Sequence, residues 1–126
     1  MKSRDAALRL KRFEADEKAR KVNDLQQMIA EFERMAGDLD RQIRAEEERT
    51  GIKDTGHYAY STFAKSASQR RDNLYSSAHE LRAKLEAAEK ERDEALEQLT
   101  RVSAGESQGS LRETRRAERD SSLVAR

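Results

Sequence analysis

The sequence predicts an all-α protein: two long helices folded as an antiparallel coiled-coil hairpin, followed by a short C-terminal helix or helix extension. Three observations carry that expectation. The chain of 126 residues has no proline, only five glycines and 40% charged residues. Such a composition, rich in Ala, Glu, Lys, Arg, Leu and Gln, favours long helices. Apolar residues recur in sevens along two separate tracts. One glycine-containing stretch, "TGIKDTGHYAY", separates the tracts. The hydrophobic class is 35% of residues and much of it is alanine, which argues against a globular core. Disorder is the rival for so charged a chain, but it usually goes with a large net charge, and here the formal charge is +1.

The first tract gives two stripes: Leu8, Ala15, Val22, Ile29, Ala36, Ile43, and Lys11, Lys18, Leu25, Phe32, Leu39, Glu46. Together they predict a helix over about 3–49. Ser3 is the expected N-cap, with Asp5 placed where the helix dipole favours an anion. Glu14 with Lys18, Glu17 with Lys21, and Asp40 with Arg44 add i,i+4 support. Gly37 costs the helix about 1 kcal/mol relative to alanine.

The turn occupies residues 50–60. Gly51 suits the left-handed position that ends a helix. Asp54 is placed to cap a short turn through His57, and Ser61 or Thr62 to cap the second helix. The second tract again gives two stripes: Ala64, Arg71, Ala78, Leu85, Arg92, Leu99, and Ala67, Leu74, Leu81, Ala88, Ala95, Val102. They predict a helix over about 61–102. A short connection makes the two helices antiparallel neighbours.

Centring the hairpin near Thr55 sets Ile43 against Ala67, Ala36 against Leu74, Phe32 against Ala78 and Ile29 against Leu81. The same register sets Leu25 against Leu85, Val22 against Ala88, Ala15 against Ala95 and Leu8 against Val102. Several layers match large to small, as tight packing requires. The expected seam therefore rests on Leu8, Val22, Leu25, Ile29, Phe32, Leu39 and Ile43, facing Leu74, Leu81, Leu85 and Leu99. Three layers break the pattern: Lys18 faces Arg92, Leu39 faces Arg71 and Lys11 faces Leu99. Their long stems can snorkel outward, leaving the seam weak toward the chain termini. Residues 1–102 thus form the hairpin. Beyond Val102, "SAGESQGS" predicts a flexible break, "SLRE" a capping box opening a short helix over about 111–119, and the last residues a frayed tail.

Cysteine is absent, which excludes disulfides and thiolate metal sites. No run approaches the ~18 apolar residues of a membrane span. The first residues, "MKSRDAALRLKRF", lack the apolar core of a signal peptide, and their acidic neighbours argue against a transit peptide, so a cytoplasmic protein without membrane insertion is expected. No phosphate loop, HExxH motif or nucleophile–base spacing is present. His57 and His79 lie too far apart to share a metal, and the carboxylates of "AEEERT" have no pocket. No catalytic residue, cofactor or metal is expected, and the chain reads as not an enzyme. Residues 1–21 hold eight Lys/Arg to four Asp/Glu, while residues 89–109 hold three to six. The hairpin lays these arms side by side, so the field a nucleic acid needs is cancelled, and no nucleic-acid partner is expected.

Four segments, "SRDAALRLKRFEADEKARKV", "MIAEFERMAGDLDRQIRAEE", "GIKDTGHYAY" and "QRRDNLYSSAHELRAKLEAA", closely resemble the flagellar export protein FliJ family in its alphaproteobacterial form. The likeness covers about residues 2–102, and it is carried by four segments in order around the same turn. The resemblance implies a cytoplasmic, non-catalytic, stalk-like coiled coil of the flagellar type III export apparatus, peripherally associated with the inner membrane. It implies a terminal end inserted in the hexameric export ATPase and promoting its assembly. It also implies a loop end docked on the cytoplasmic domain of the export gate, and contacts with export chaperones. Carried onto this chain, the loop-end docking residues are His57, Tyr58, Tyr60 and Phe63, and the ATPase-facing residues are Lys11, Lys18 and Arg92. The family's second helix continues where "SAGESQGS" interrupts this chain. A different reading is a structural coiled coil that self-associates through alanine-rich faces into a four-helix bundle, with no ATPase partner.

Three of the six aromatic residues, Tyr58, Tyr60 and Phe63, sit at the turn. Two expectations stand side by side. The rings cap the open end of the seam over Ile43 and Ile52, or they form a docking patch of the kind that interfaces favour.

Overall fold

A computed structural model describes residues 2–124, with side chains described for 3–105 and 111–121. Two helices account for almost all of it. Helix α1 spans Lys2–Thr50, 49 residues, and helix α2 spans Thr62–Val124, 63 residues. They pack antiparallel as a coiled-coil hairpin. Each buried hydrophobic residue among those described falls on one of the four heptad stripes. A period of seven keeps one narrow stripe of each helix turned toward its partner, so burial follows the stripes.

The chain divides into two compact units. The loop-end unit is Lys21–Ala87, and the terminal unit comprises the described residues of Met1–Arg20 and Ala88–Arg126. In the loop-end unit, α1 buries Val22, Leu25, Ile29, Ala36 and Ile43 against Ala64, Ala67 and Ala78 of α2. Phe32, Leu39, Leu74, Leu81 and Leu85 are half-buried in the same seam. In the terminal unit the buried residues are Ala15, Ala88 and Ala95, with Leu8, Leu99 and Val102 only half-buried. A buried leucine-sized side chain contributes about 1.5–3 kcal/mol and alanine far less. The loop-end unit therefore holds most of the hydrophobic stabilisation.

The structure departs from the expected boundaries in two places. Helix α1 begins at Lys2, so Ser3 lies in its first turn and not ahead of it. Helix α2 does not break over 103–110 and restart at 111; it runs on as a helix extension to Val124, including the stretch expected to fray. Residues 125 and 126 lie outside the described residues. A glycine inside a helix costs about 1 kcal/mol, whereas the residue that stops a helix outright is proline, and the chain has none.

Candidate functional site

The loop begins at a glycine cap. Gly51 has φ 74°, and its N–H donates to the Glu47 carbonyl at 2.9 Å. A side chain at this φ is strained, so the backbone needs glycine here. Thr50 Oγ1 donates to the same carbonyl at 3.3 Å and accepts from Ile52 N–H at 3.3 Å. Asp54 Oδ1 then accepts from Gly56 N–H at 2.9 Å, an Asx turn, while the Asp54 carbonyl accepts from His57 N–H at 3.1 Å. The His57 carbonyl in turn accepts from Tyr60 N–H at 3.0 Å. Ser61 Oγ caps α2 by accepting from Ala64 N–H at 3.2 Å and reaches across to donate to Glu46 Oε1 at 3.0 Å. Glu46 also receives the Arg49 guanidinium, and the two partners hold its pKa below the ordinary value, Arg49 first and Ser61 second.

This loop separates the aromatic residues by role. Tyr60 is half-buried and packs, with Leu39, on the cluster of Ile43, Ala64 and Ala67. Burial first, and the negative Glu47 second, push its phenol pKa up. Tyr58 is 96% exposed and Phe63 55% exposed. His57 stacks on Tyr58 with ring centroids 4.6 Å apart, and His57 Nδ1 accepts from Ala59 N–H at 3.0 Å. The two expectations for the rings thus apply to different residues. Tyr60 closes the seam, while His57, Tyr58 and Phe63 stand out from it.

In the terminal unit, Lys11, Lys18 and Arg92 are half-buried on the seam stripes. None stays in the seam by its charge. Lys18 Nζ reaches Glu91 Oε2 of α2 at 3.1 Å, and does not pair with Glu14 as expected from spacing. Glu14 is held instead by Lys11 Nζ at 3.3 Å, which also donates to Gln98 Oε1 at 3.0 Å. Arg92 turns to its neighbour Asp93 at 3.1 Å. Beside this charged layer, a groove of about 390 Å³ opens between Leu8, Arg12, Leu99 and Thr100, and a second of about 290 Å³ between Arg4, Ala7, Val102 and Gly105. The seam here is loosely filled. Leu10 and Phe13 on α1 and Leu96 on α2 are exposed.

A further polar contact lies in the loop-end unit and was not among the sequence-based candidates. Asp40 accepts from Arg71 and from Tyr75, bridging the two helices. Heptad reading places Arg71 in the seam but Asp40 outside it, so only side-chain reach, not periodicity, brings them together.

Among the described residues, no group of three or more His, Cys, Asp or Glu could hold a metal ion, and no helix is long and apolar enough to cross a membrane. No family model matches the chain, and neither a curated protein nor a solved structure matches it.

Proposed function

We propose that the chain is a non-enzymatic coiled-coil component of the flagellar protein export machinery, working in the cytoplasm at the inner-membrane export apparatus. In this reading the loop end docks on the cytoplasmic domain of the export gate. The terminal end enters and promotes the hexameric export ATPase, and chaperones bind the same hairpin. The single observation that supports it most is the division of labour at the loop. One ring, Tyr60, suffices to cover the seam end, yet Tyr58 and Phe63 are held out in solvent. Large exposed rings on a well-capped turn are what a docking surface needs. The loosely filled, charged seam of the terminal unit suits a segment that must adapt to an asymmetric ring. The four segments that resemble the family supply the identity of the partners.

The test uses the purified full chain with a hexameric export ATPase and the gate's cytoplasmic domain. Stimulated ATP hydrolysis, and gate binding lost on Tyr58→Ala with Phe63→Ala, are the expected results. Absence of binding to both partners overturns the reading.

A further inference from the structure

We infer that the Met28–Met35 face of the loop-end unit is a self-association surface, on which a second copy of this chain packs with its α2 over the first copy's α1. The inference is independent of the export reading.

The two flanks of the seam differ. On one flank the helices are tied by polar contacts: Asp40 accepts from Tyr75 at 2.9 Å, and Arg82 donates to Glu33. The other flank carries Met28 and Met35, seven residues apart, each one position before a buried seam residue, Ile29 or Ala36. They are 44% and 40% exposed. Here Met35 shares an open groove of about 250 Å³ with Arg70, Asn73, Leu74 and Ser77 of α2. Methionine is enriched in interface cores and adapts its shape to a partner. The seam alanines, by contrast, are buried inside the hairpin, so they are not what a second copy meets.

Charge selects the occupant and its orientation. Next to the methionines, α1 presents Asp24, Glu31 and Asp38, again seven apart, against Lys21, with Arg34 and Arg41 one stripe further from the partner helix. The α2 side of the same face presents Arg70 and Lys84 against one acid, Glu80. One edge of the face is acidic and the other basic, so the face is complementary to itself. A two-fold axis parallel to the helices brings α1 of one copy over α2 of the next at the same level. The hairpin register then sets Asp38 near the partner copy's Arg70, and Asp24 near its Lys84, twice each by symmetry. Within a single chain Asp38 already holds Arg41, and it has a second oxygen free for the new pair. The other two-fold, with its axis across the helices, stacks acidic α1 on acidic α1 and is disfavoured. From Lys21 to Ala45 the face runs roughly 35 Å and is about two helix diameters wide. That gives on the order of 700 Å² per copy, close to the ~800 Å² of a standard interface.

The test is sedimentation equilibrium of the full chain over a concentration series. A concentration-dependent dimer is expected. Met28→Glu with Met35→Glu should raise its Kd by at least about tenfold while leaving helical circular dichroism unchanged, since both side chains are exposed. Asp38→Arg and Arg70→Asp should each weaken the dimer, and the two together in one chain should restore it. A wild-type chain that stays monomeric throughout the series overturns the inference. So does a dimer indifferent to the methionine changes. If Asp38→Arg strengthens the dimer, α1 lies on α1 and the proposed orientation is wrong.

Discussion

Arg71 Nη1 donates to Asp40 Oδ1 at 2.8 Å across the hairpin, and Tyr75 Oη donates to Asp40 Oδ2 at 2.9 Å. One carboxylate on α1 therefore satisfies two donors on α2, and an arginine that interrupts the apolar seam is drawn out of it to the flank. Arg71 keeps a second contact to Asp72 at 3.1 Å. The side chains of Asp40 and Arg71 are 26% and 28% exposed, so the pair is screened, and about 0.5–1 kcal/mol is the reasonable scale of its contribution. Its geometry also opposes slippage, because a shift of one residue separates all three groups.

The hydrogen bond from Arg71, opposed in part by burial and aided by Tyr75, holds the Asp40 carboxyl below its ordinary value. The unfolded group titrates near 3.9. Above that pH the ionised form contributes its full stabilisation, which is lost as pH falls through the depressed native value. Asp40→Asn should therefore lower the melting temperature at pH 7. It should also flatten the fall in stability below about pH 4 relative to the unaltered chain. Equal acid sensitivity of the two chains means that Asp40 is not linked to folding.

The register admits a covalent check, because the chain contains no cysteine. Glu33 and Arg82 touch across the flank. The contact joins the ends of two long side chains, so Glu33→Cys with Arg82→Cys should be bridged within one chain by a flexible thiol-reactive linker of about 10 Å at low protein concentration, a span beyond a direct disulfide. Cross-links found only between chains would contradict the hairpin.

At the loop, Tyr60→Ala and Tyr58→Ala should behave differently. Tyr60 packs on Ile43, Ala64 and Ala67, and its loss uncovers that cluster, so thermal melting should move down. Tyr58 is almost wholly in solvent, and its loss should leave melting unchanged within the ~0.5 kcal/mol typical of surface substitutions. Binding to the proposed gate partner should respond in the opposite order. If Tyr58→Ala has no effect on binding and Tyr60→Ala no effect on melting, the assignment of roles is wrong.

The hairpin was legible because a period of seven is a global signal that survives single exceptions: Arg71 and Arg92 do not disturb the stripes of which they are members. The loop was legible for a local reason, since Gly51, Asp54 and Ser61 each do there what their chemistry favours anywhere. Two things were not legible. The continuity of α2 past Val102 depends on whether small penalties at Gly105 and Gly109 outweigh the cooperativity of a helix already under way, and composition cannot weigh these. The bridge from Asp40 to Arg71 and Tyr75 depends on how far a long side chain travels. Heptad positions describe where a Cβ points, and a guanidinium some 6–7 Å away can end on the neighbouring face. The different fates of Tyr58 and Tyr60, two residues apart, follow from the loop's hydrogen bonds and not from either residue's hydrophobicity.

The last prediction concerns Lys18 and Arg92, which the hairpin register sets in one layer of the terminal unit. Each is half-buried and each sends its charge elsewhere, Lys18 to Glu91 and Arg92 to Asp93. These exposed-edge pairs contribute little, about 0–1 kcal/mol each. Two leucines in the same layer could instead bury apolar area at about 1.5–3 kcal/mol apiece, less what imperfect fit removes. Lys18→Leu with Arg92→Leu should therefore raise the melting temperature, and amide exchange should slow around residues 8–18 and 92–102. In the unaltered chain those amides should exchange faster than the ones near Ile29, because the terminal unit buries only alanines among its described residues whereas Ile29 lies among Leu25 and Val22. If the terminal seam's openness serves the proposed ATPase contact, the same double replacement should reduce stimulation of ATP hydrolysis even as it stabilises the fold. A more stable hairpin with stimulation untouched shows instead that the charged layer is tolerated and has no part in that work. Exchange already as slow at the terminal seam as at Ile29 shows that the seam is not weak.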